Sequence, residues 1–283
     1  MITLNKLLEK KGHSEKIVML TAYDYPMARI LENAGIDMIL VGDSGGMVKL
    51  GYNSTLPVTM EEMIFFTKAV RRGAPNTFII ADMPYMSYQI SNEHAIMNAG
   101  KLIKEGGADA VKLEGGIGVI ERVSSIVSAG IAVQGHIGLT PQNITMMNGF
   151  VSQGKTADTA KSLIEDAKAL ENAGVFSLIL EAIPIKIAKY ITDNIKIPTI
   201  GTGAGNVCDG QNLISSDVIG YFDRFIPKFA KSYININKII LSAVLQYKKE
   251  VENKQFPGPE HVYPLKNDKY IDELIEKVRW NNI

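Results

Sequence analysis

The chain of 283 residues has a single cysteine, Cys208, so no internal disulfide framework can form and this thiol is expected to fill space. Its four histidines (His13, His94, His136, His261) are scattered, which excludes the His/Cys clusters that zinc prefers. Excess charge is absent too. Thirty basic and thirty acidic side chains, interspersed, leave no electrostatic footprint for nucleic acid. No stretch approaches the apolar length of a membrane span, and the opening residues MITLNKLLEKKGHSEK lack the apolar core of a signal peptide. A soluble cytoplasmic protein with no membrane partner is the expectation. Two phosphate-binding fingerprints are also missing: GTGAGN (201–206) ends in Asn206 rather than glycine, and VGDSGG lacks the Gly-Lys-Ser/Thr of a P-loop. What GTGAGN keeps is a glycine turn whose backbone N–H groups can line a substrate.

What is present is one phrase repeated: a short apolar run, a few glycines or polar residues, then a helical pattern. Runs at 16–23, 37–44, 77–84, 109–116, 131–138, 176–183 and 197–205 are predicted strands, and SDVIGY (216–221) is a weaker eighth. Helices follow several of them. Pro26 suits a first turn and Gly35 a stop; Thr59 and Glu62 have capping-box spacing before a helix that Gly73 closes; further helices are predicted near 92–105, 157–173 and 235–252. Strands that alternate with helices and read as continuous apolar runs imply parallel pairing with both faces buried. About eight such units with no linker favour a closed (β/α)8 barrel in one domain, with an open doubly wound sheet as the alternative. The catalytic domain is expected to span residues 1–261, with a peripheral tail over 262–283 carrying one short helix at 269–279.

The informative positions are where the runs stop. Tyr23 and Asp24, Asp43 and Ser44, Asp82, Lys112 and Glu114, His136, and Glu181 end successive strands. A barrel brings those ends to the one face where active sites form. A single such acid often only caps the next helix, whereas five acids on one rim are costly unless they bind something. Asp43 and Asp82, on neighbouring strands, can share a hard cation such as Mg2+, with Glu114 behind them. Asp43 alone could equally be a turn acid. Lys112 reads as a Schiff-base lysine, as a cation for a substrate oxyanion, or as the partner of Glu114. Glu181, if desolvated, suits a general base. His136 is either a donor to substrate or a satisfied core histidine. The Met146/Met147 and Tyr85/Tyr88 pairs are expected to be packing.

Taken together, TAYDYPMA, LVGDSGGM, STLPVT, AVRRGAPN, ADMPYMSY, VKLEGG, GHIGLTPQ, IGTGAGNVCDGQ and IPKFAK resemble the ketopantoate hydroxymethyltransferase family, from about residue 3 to His261. The resemblance implies a barrel of the phosphoenolpyruvate/pyruvate group. It implies one-carbon transfer from 5,10-methylenetetrahydrofolate to 3-methyl-2-oxobutanoate, giving 2-dehydropantoate through a Mg2+-stabilised enolate, and a homodecamer whose C-terminal helix is exchanged between subunits. By motif it implies Asp43 and Asp82 as Mg2+ ligands backed by Glu114, with Ser44, Lys112 and His136 at the substrate and Glu181 as the base. Another Mg2+-dependent carbon–carbon lyase of the same barrel group, or a Schiff-base aldolase using Lys112, are the alternatives. The sequence departs from the family pattern at Gly45, Tyr52, Asn53, Phe150, Lys155 and Ser216, and Gly45 is expected to loosen its loop.

Overall fold

The computed structural model describes residues 2–146, 149, 151–224, 226–266 and 268–278. Met147 and Phe150 lie outside the described residues. Eight parallel strands close into a barrel in chain order. They are β1 (Ile17–Thr21), β2 (Met38–Val41), β3 (Phe78–Asp82), β4 (Ala110–Glu114), β5 (Ala132–Gly138), β6 (Ser177–Glu181), β7 (Thr199–Thr202) and β8 (Gly210–Leu213). The fold is the (β/α)8 barrel, and the open sheet is excluded because β8 pairs back onto β1, with Ile17 opposite Gly210 and Leu20 opposite Leu213.

The first seven strands fall inside the predicted apolar runs. The eighth does not. Residues 216–221 hold no strand, and Ser215–Val218 is a short helix. The closing strand is Gly-Gln-Asn-Leu, which has one apolar side chain and is held by its neighbours on both edges.

The helices, in order, are α1 (Leu4–Gly12), α2 (Tyr25–Asn33), α3 (Gly45–Val48), α4 (Met60–Gly73), α5 (Asn92–Lys101), α6 (Ile120–Ser128), α7 (Ala157–Asn172), α8 (Ile185–Asn194), α9 (Ser215–Val218), α10 (Ile236–Glu252) and α11 (Asp268–Lys277). Their ends follow local chemistry. Asp24 accepts a hydrogen bond from Met27 N–H at the start of α2, and Thr59 and Glu62 form the expected capping box of α4. Gly35, at φ +73°, turns the chain out of α2. Asp24, one of the strand-end acids, is therefore a helix cap, and it also pairs with Lys49 at 2.7 Å.

Two apolar layers hold the barrel. Outward-facing residues such as Ile39, Val41, Ile79, Val111, Val133 and Leu178 pack among helix residues including Met63, Val70, Ile126 and Leu170. Inside, Ile17, Met19, Met38, Leu40, Phe78, Ile80, Ile179 and Ile200 fill the lower barrel together with Leu7 of α1. Lys10 and Lys11 of α1 pair with Asp37 and Asp209, each at 2.7 Å, which pins that helix beneath the strands. The N-terminal end is thus plugged, and the C-terminal mouth is left for chemistry.

By its contacts the chain divides into two compact units, Met1–Ile234 and Asn235–Ile283. The sequence ends the barrel domain at residue 261, whereas the contacts group α10 with the tail, and none of the α10 residues is buried. Within the second unit, Phe256 packs edge-on against Tyr247 and tilts against His261. Among the described residues no helix is long and apolar enough to cross a membrane.

Candidate active site

Strand register explains how the polar ends meet. Side chains of a strand alternate between its faces, so Lys112 and Glu114 both point into the barrel from β4. Asp82 of β3 lies opposite Lys112, and Glu114 lies opposite His136 of β5. Lys112 Nζ is 3.2 Å from Asp82 Oδ1 and 3.5 Å from Glu114 Oε1. His136 Nδ1 is 3.5 Å from Glu114 Oε1, and its Nε2 is 3.2 Å from Glu181 Oε2 at the end of β6. Asp43 joins from the end of β2: its N–H donates to Asp82 Oδ2 (3.1 Å) and its Oδ2 accepts from Gln142 (2.8 Å). Ser44 shares a hydrogen bond of 2.8 Å with the Tyr23 hydroxyl. The structure thus gathers Asp43, Ser44, Asp82, Lys112, Glu114, His136 and Glu181 at one mouth. All but Ser44 and Glu181 are buried; the Glu181 side chain is 16% exposed, so its desolvation is partial.

The cluster sorts its charges. Burial pushes Asp43 well above the usual carboxylate range, and the neighbouring Asp82 and Glu114 push it further. Asp82 is also raised by burial, although Lys112 pulls it down. Glu114 goes the other way: burial would raise it, but Lys112 and His136 hold it low. Burial would deprotonate Lys112, yet Asp82, Glu114 and Asp43 together keep it firmly an ammonium. His136 is lowered by burial and by Lys112, but the nearby carboxylates of Glu114 and Glu181 prevail and bring it to about 9. Both ring N–H groups of the imidazolium then face carboxylates. The Lys112 ammonium, 3.3 Å from Nδ1, is a repulsion that the acids outweigh.

Lys112 is ion-paired with Asp82 and Glu114, and a lysine held as an ammonium among acids is a poor Schiff-base nucleophile. Among the described residues, no three His, Cys, Asp or Glu side chains group as ligands of one ion. Glu114 is turned away from such a role: Oε2 accepts from Gln142 N–H at 3.0 Å, and Oε1 faces Lys112 and His136. Asp43 and Asp82 remain as a pair of hard oxygen donors. Among the described residues no hydrogen bond is made to Asp43 Oδ1, and Asp82 Oδ1 has none of good geometry despite the nearby ammonium. Two buried, electron-rich carboxylates fit Mg2+, which commonly takes one or two of them and keeps other positions for water and substrate.

The backbone shapes the mouth at a few points. A Cβ on Gly138 (φ +97°) would lie 2.2 Å from the Glu181 carbonyl, so glycine is what lets β5 and β6 meet there. Ala182, directly after Glu181, sits at φ +49°, a strained position held by its N–H bond to Thr202. Gly45 opens α3 and is buried, and a Cβ there would meet the rings of Tyr23 at 2.7 Å and Phe66 at 3.0 Å. The missing side chain is replaced by aromatic packing. Tyr52, another departure, donates to Glu62 at 2.6 Å.

Sequence reasoning missed Gln142 and, while placing Tyr88 as packing, missed its hydroxyl. Tyr88 is buried as packing would require, but its hydroxyl also bonds Gln142 Oε1 (2.7 Å) and approaches the Glu114 carbonyl (3.1 Å). Nothing local in the sequence points to either role.

The closed parallel barrel is similar in fold to solved structures that include a phosphoenolpyruvate phosphomutase and a phosphonopyruvate hydrolase. A phosphoenolpyruvate phosphomutase from Streptomyces platensis aligns over 98% of both chains with a TM-score of 0.58, and a phosphonopyruvate hydrolase crystallised with oxalate and Mg2+ aligns over 98% of both at 0.55. At 13% and 12% identity these likenesses show the fold alone. Sequence goes further: residues 1–259 match the family model of ketopantoate hydroxymethyltransferase, and the chain belongs to that family of enzymes. A 3-methyl-2-oxobutanoate hydroxymethyltransferase of Dehalococcoides mccartyi is 54% identical over 96% of this chain and 97% of its own length. One of Carboxydothermus hydrogenoformans is 50% identical over 98% and 99%.

Proposed function

We propose that this chain transfers a hydroxymethyl group from 5,10-methylenetetrahydrofolate to 3-methyl-2-oxobutanoate, giving 2-dehydropantoate for pantothenate synthesis. The observation that carries the reading is the placing of Glu181: an acid at the edge of the buried cluster, partly open, with Oε2 3.2 Å from His136 Nε2. A group that must reach a substrate C–H needs that openness, while the buried acids do not. In this reading Asp43 and Asp82 hold Mg2+. When bound there, the ion supplies Lewis acidity for the charge that develops on the keto oxygen of the 2-oxo acid.

The chain's own residues do the rest. Lys112 and Ser44 bind the substrate carboxylate. Glu181 takes the proton from C3, and the electron pair of the broken C–H bond passes into an enolate. Water adds to the methylene carbon, both of its bonds to the folate nitrogens break, and tetrahydrofolate leaves with the two protons of the water, the carbon remaining as formaldehyde. C3 attacks that carbon, and its oxygen takes the proton that Glu181 removed and becomes the hydroxyl; the transfer is redox-neutral overall, so no redox partner is needed. His136 lines the pocket and orients Glu181 through Nε2. Glu181→Gln is expected to bind 3-methyl-2-oxobutanoate but to lose exchange of the C3 proton into deuterated water, followed by NMR. Exchange at the wild-type rate would remove Glu181 from the base role.

The exposed apolar side chains of α10, including Ile240, Leu241, Val244, Leu245 and Val251, support a homo-oligomer in which this helix meets a second copy.

A further inference from the structure

Gln142 stands in the turn Pro141–Asn143 that follows β5, and it is 4% exposed. Its side-chain nitrogen donates to Asp43 Oδ2 at 2.8 Å and to the Met83 carbonyl at 2.9 Å. Its side-chain oxygen accepts from the Tyr88 hydroxyl at 2.7 Å, and its backbone N–H donates to Glu114 Oε2 at 3.0 Å. One residue therefore ties together the ends of β2, β3 and β4. The orientation of its amide is fixed by chemistry. The Met83 carbonyl can only accept, so the amide nitrogen must face it, and the oxygen is left for the one hydrogen of Tyr88. The Met83 N–H is itself anchored to the Lys112 carbonyl at 2.9 Å, so the amide is braced against the barrel rather than against a free loop.

We infer that Gln142, held in place by Tyr88, is a positioning residue that presents the Asp43 carboxylate to a divalent cation. With Oδ2 tied to the amide, the plane of the Asp43 carboxylate is set and Oδ1, to which no hydrogen bond is made among the described residues, is the oxygen left to donate. Without the amide, Asp43 can rotate, the Met83 carbonyl is buried unpaired, and the acid that most needs a cation is no longer aimed. Partners that orient a ligand in this way commonly change metal affinity by about 10–100-fold.

This inference rests on the proposed cation site at Asp43 and Asp82, and its test separates the two. Mn2+ is titrated into the full-length protein without substrates, and binding is read by electron paramagnetic resonance. Asp43→Asn is expected to abolish the tight site. Gln142→Leu is expected to weaken Mn2+ binding by about 10–100-fold. Tyr88→Phe should weaken it by a smaller factor, and the double variant should be no weaker than Gln142→Leu, because Tyr88 acts through Gln142. Unchanged binding in Asp43→Asn overturns the cation site itself. Loss in Asp43→Asn with wild-type affinity in Gln142→Leu overturns only the positioning role, even if that variant melts earlier. Should Gln142→Leu fail to fold, Tyr88→Phe decides: wild-type Mn2+ affinity there overturns the role as well.

Discussion

Asp217→Asn is expected to stabilise the protein, and to do so only where Asp217 would be charged. Asp217 lies in α9, is 3% exposed, and its carboxylate has no hydrogen-bond or ion-pair partner among the described residues. Burial lifts it from 3.8 to about 6. The sign follows from proton binding. Between those two values the folded chain holds a proton that the unfolded chain has released, so stability falls as pH rises through the interval and the penalty is constant above it. A shift of about 2 units corresponds to about 3 kcal/mol at pH 8, about 1.6 at pH 5 and about 0.6 at pH 4. Asparagine has the same shape and no charge to lose. A constant offset for its own unpaired amide, about 1 kcal/mol, leaves the pH dependence untouched. The measurement is urea unfolding of both proteins from pH 4 to pH 8, compared by midpoint at equal slope. The variant's advantage should grow by about 2 kcal/mol, chiefly between pH 4 and pH 6.5. A difference that stays flat with pH would refute the reasoning, because it would mean that Asp217 is paired or solvated.

Two further outcomes follow from the site and from α10. Lys112→Met removes the ammonium between Asp82 and Glu114, and breaking a buried pair from one side commonly costs about 3–5 kcal/mol. Chemical unfolding at pH 8 without added metal should show that loss, and wild-type stability would mean that the acids share their charge some other way. On α10, Leu241 and Leu245 lie one turn apart and both are exposed. If α10 meets a second copy as proposed, Leu241→Lys/Leu245→Lys should reduce the sedimentation coefficient while preserving far-ultraviolet circular dichroism. An unchanged coefficient would remove α10 from the subunit contact.

Much of this molecule could be read from its sequence because parallel barrels write their strands as apolar runs. The sequence failed where position is set by neighbours rather than by composition. The closing strand, Gly210–Leu213, exists because β7 and β1 each offer it a free edge, and its inward residue is Asn212, which hydropathy does not flag. The acids at the strand ends stood out because an apolar run that stops on a carboxylate is unusual. Gln142 did not, since a glutamine after a proline in a turn has many ordinary explanations. Its role depends on a backbone carbonyl 59 residues away and a carboxylate 99 residues away in the chain, which only the barrel brings within reach. Tyr88 was hidden for the opposite reason: its ring is buried exactly as a packing residue's would be, and only its hydroxyl departs from that role.

The same geometry argues for where the unmet electrostatic demand of the site lies. Lys112 and His136 are the cations that the protein supplies, and both sit against Glu114, the acid they hold low. Asp82 has Lys112 on one side only and remains raised, and Asp43 is raised further with a neutral amide as its nearest donor. If balancing acids were the only requirement, Lys112 would stand between Asp43 and Asp82, where the deficit is. Instead the fold shares Lys112 between Asp82 and Glu114, sets His136 against Glu114 and Glu181, and leaves Asp43 with a neutral amide. A buried carboxylate without a partner costs several kcal/mol, so such an arrangement persists where something else brings the missing charge. A dication, if held by these residues as proposed, would carry enough charge for both aspartates, which is the physical ground for proposing Mg2+ at Asp43 and Asp82 rather than at Glu114.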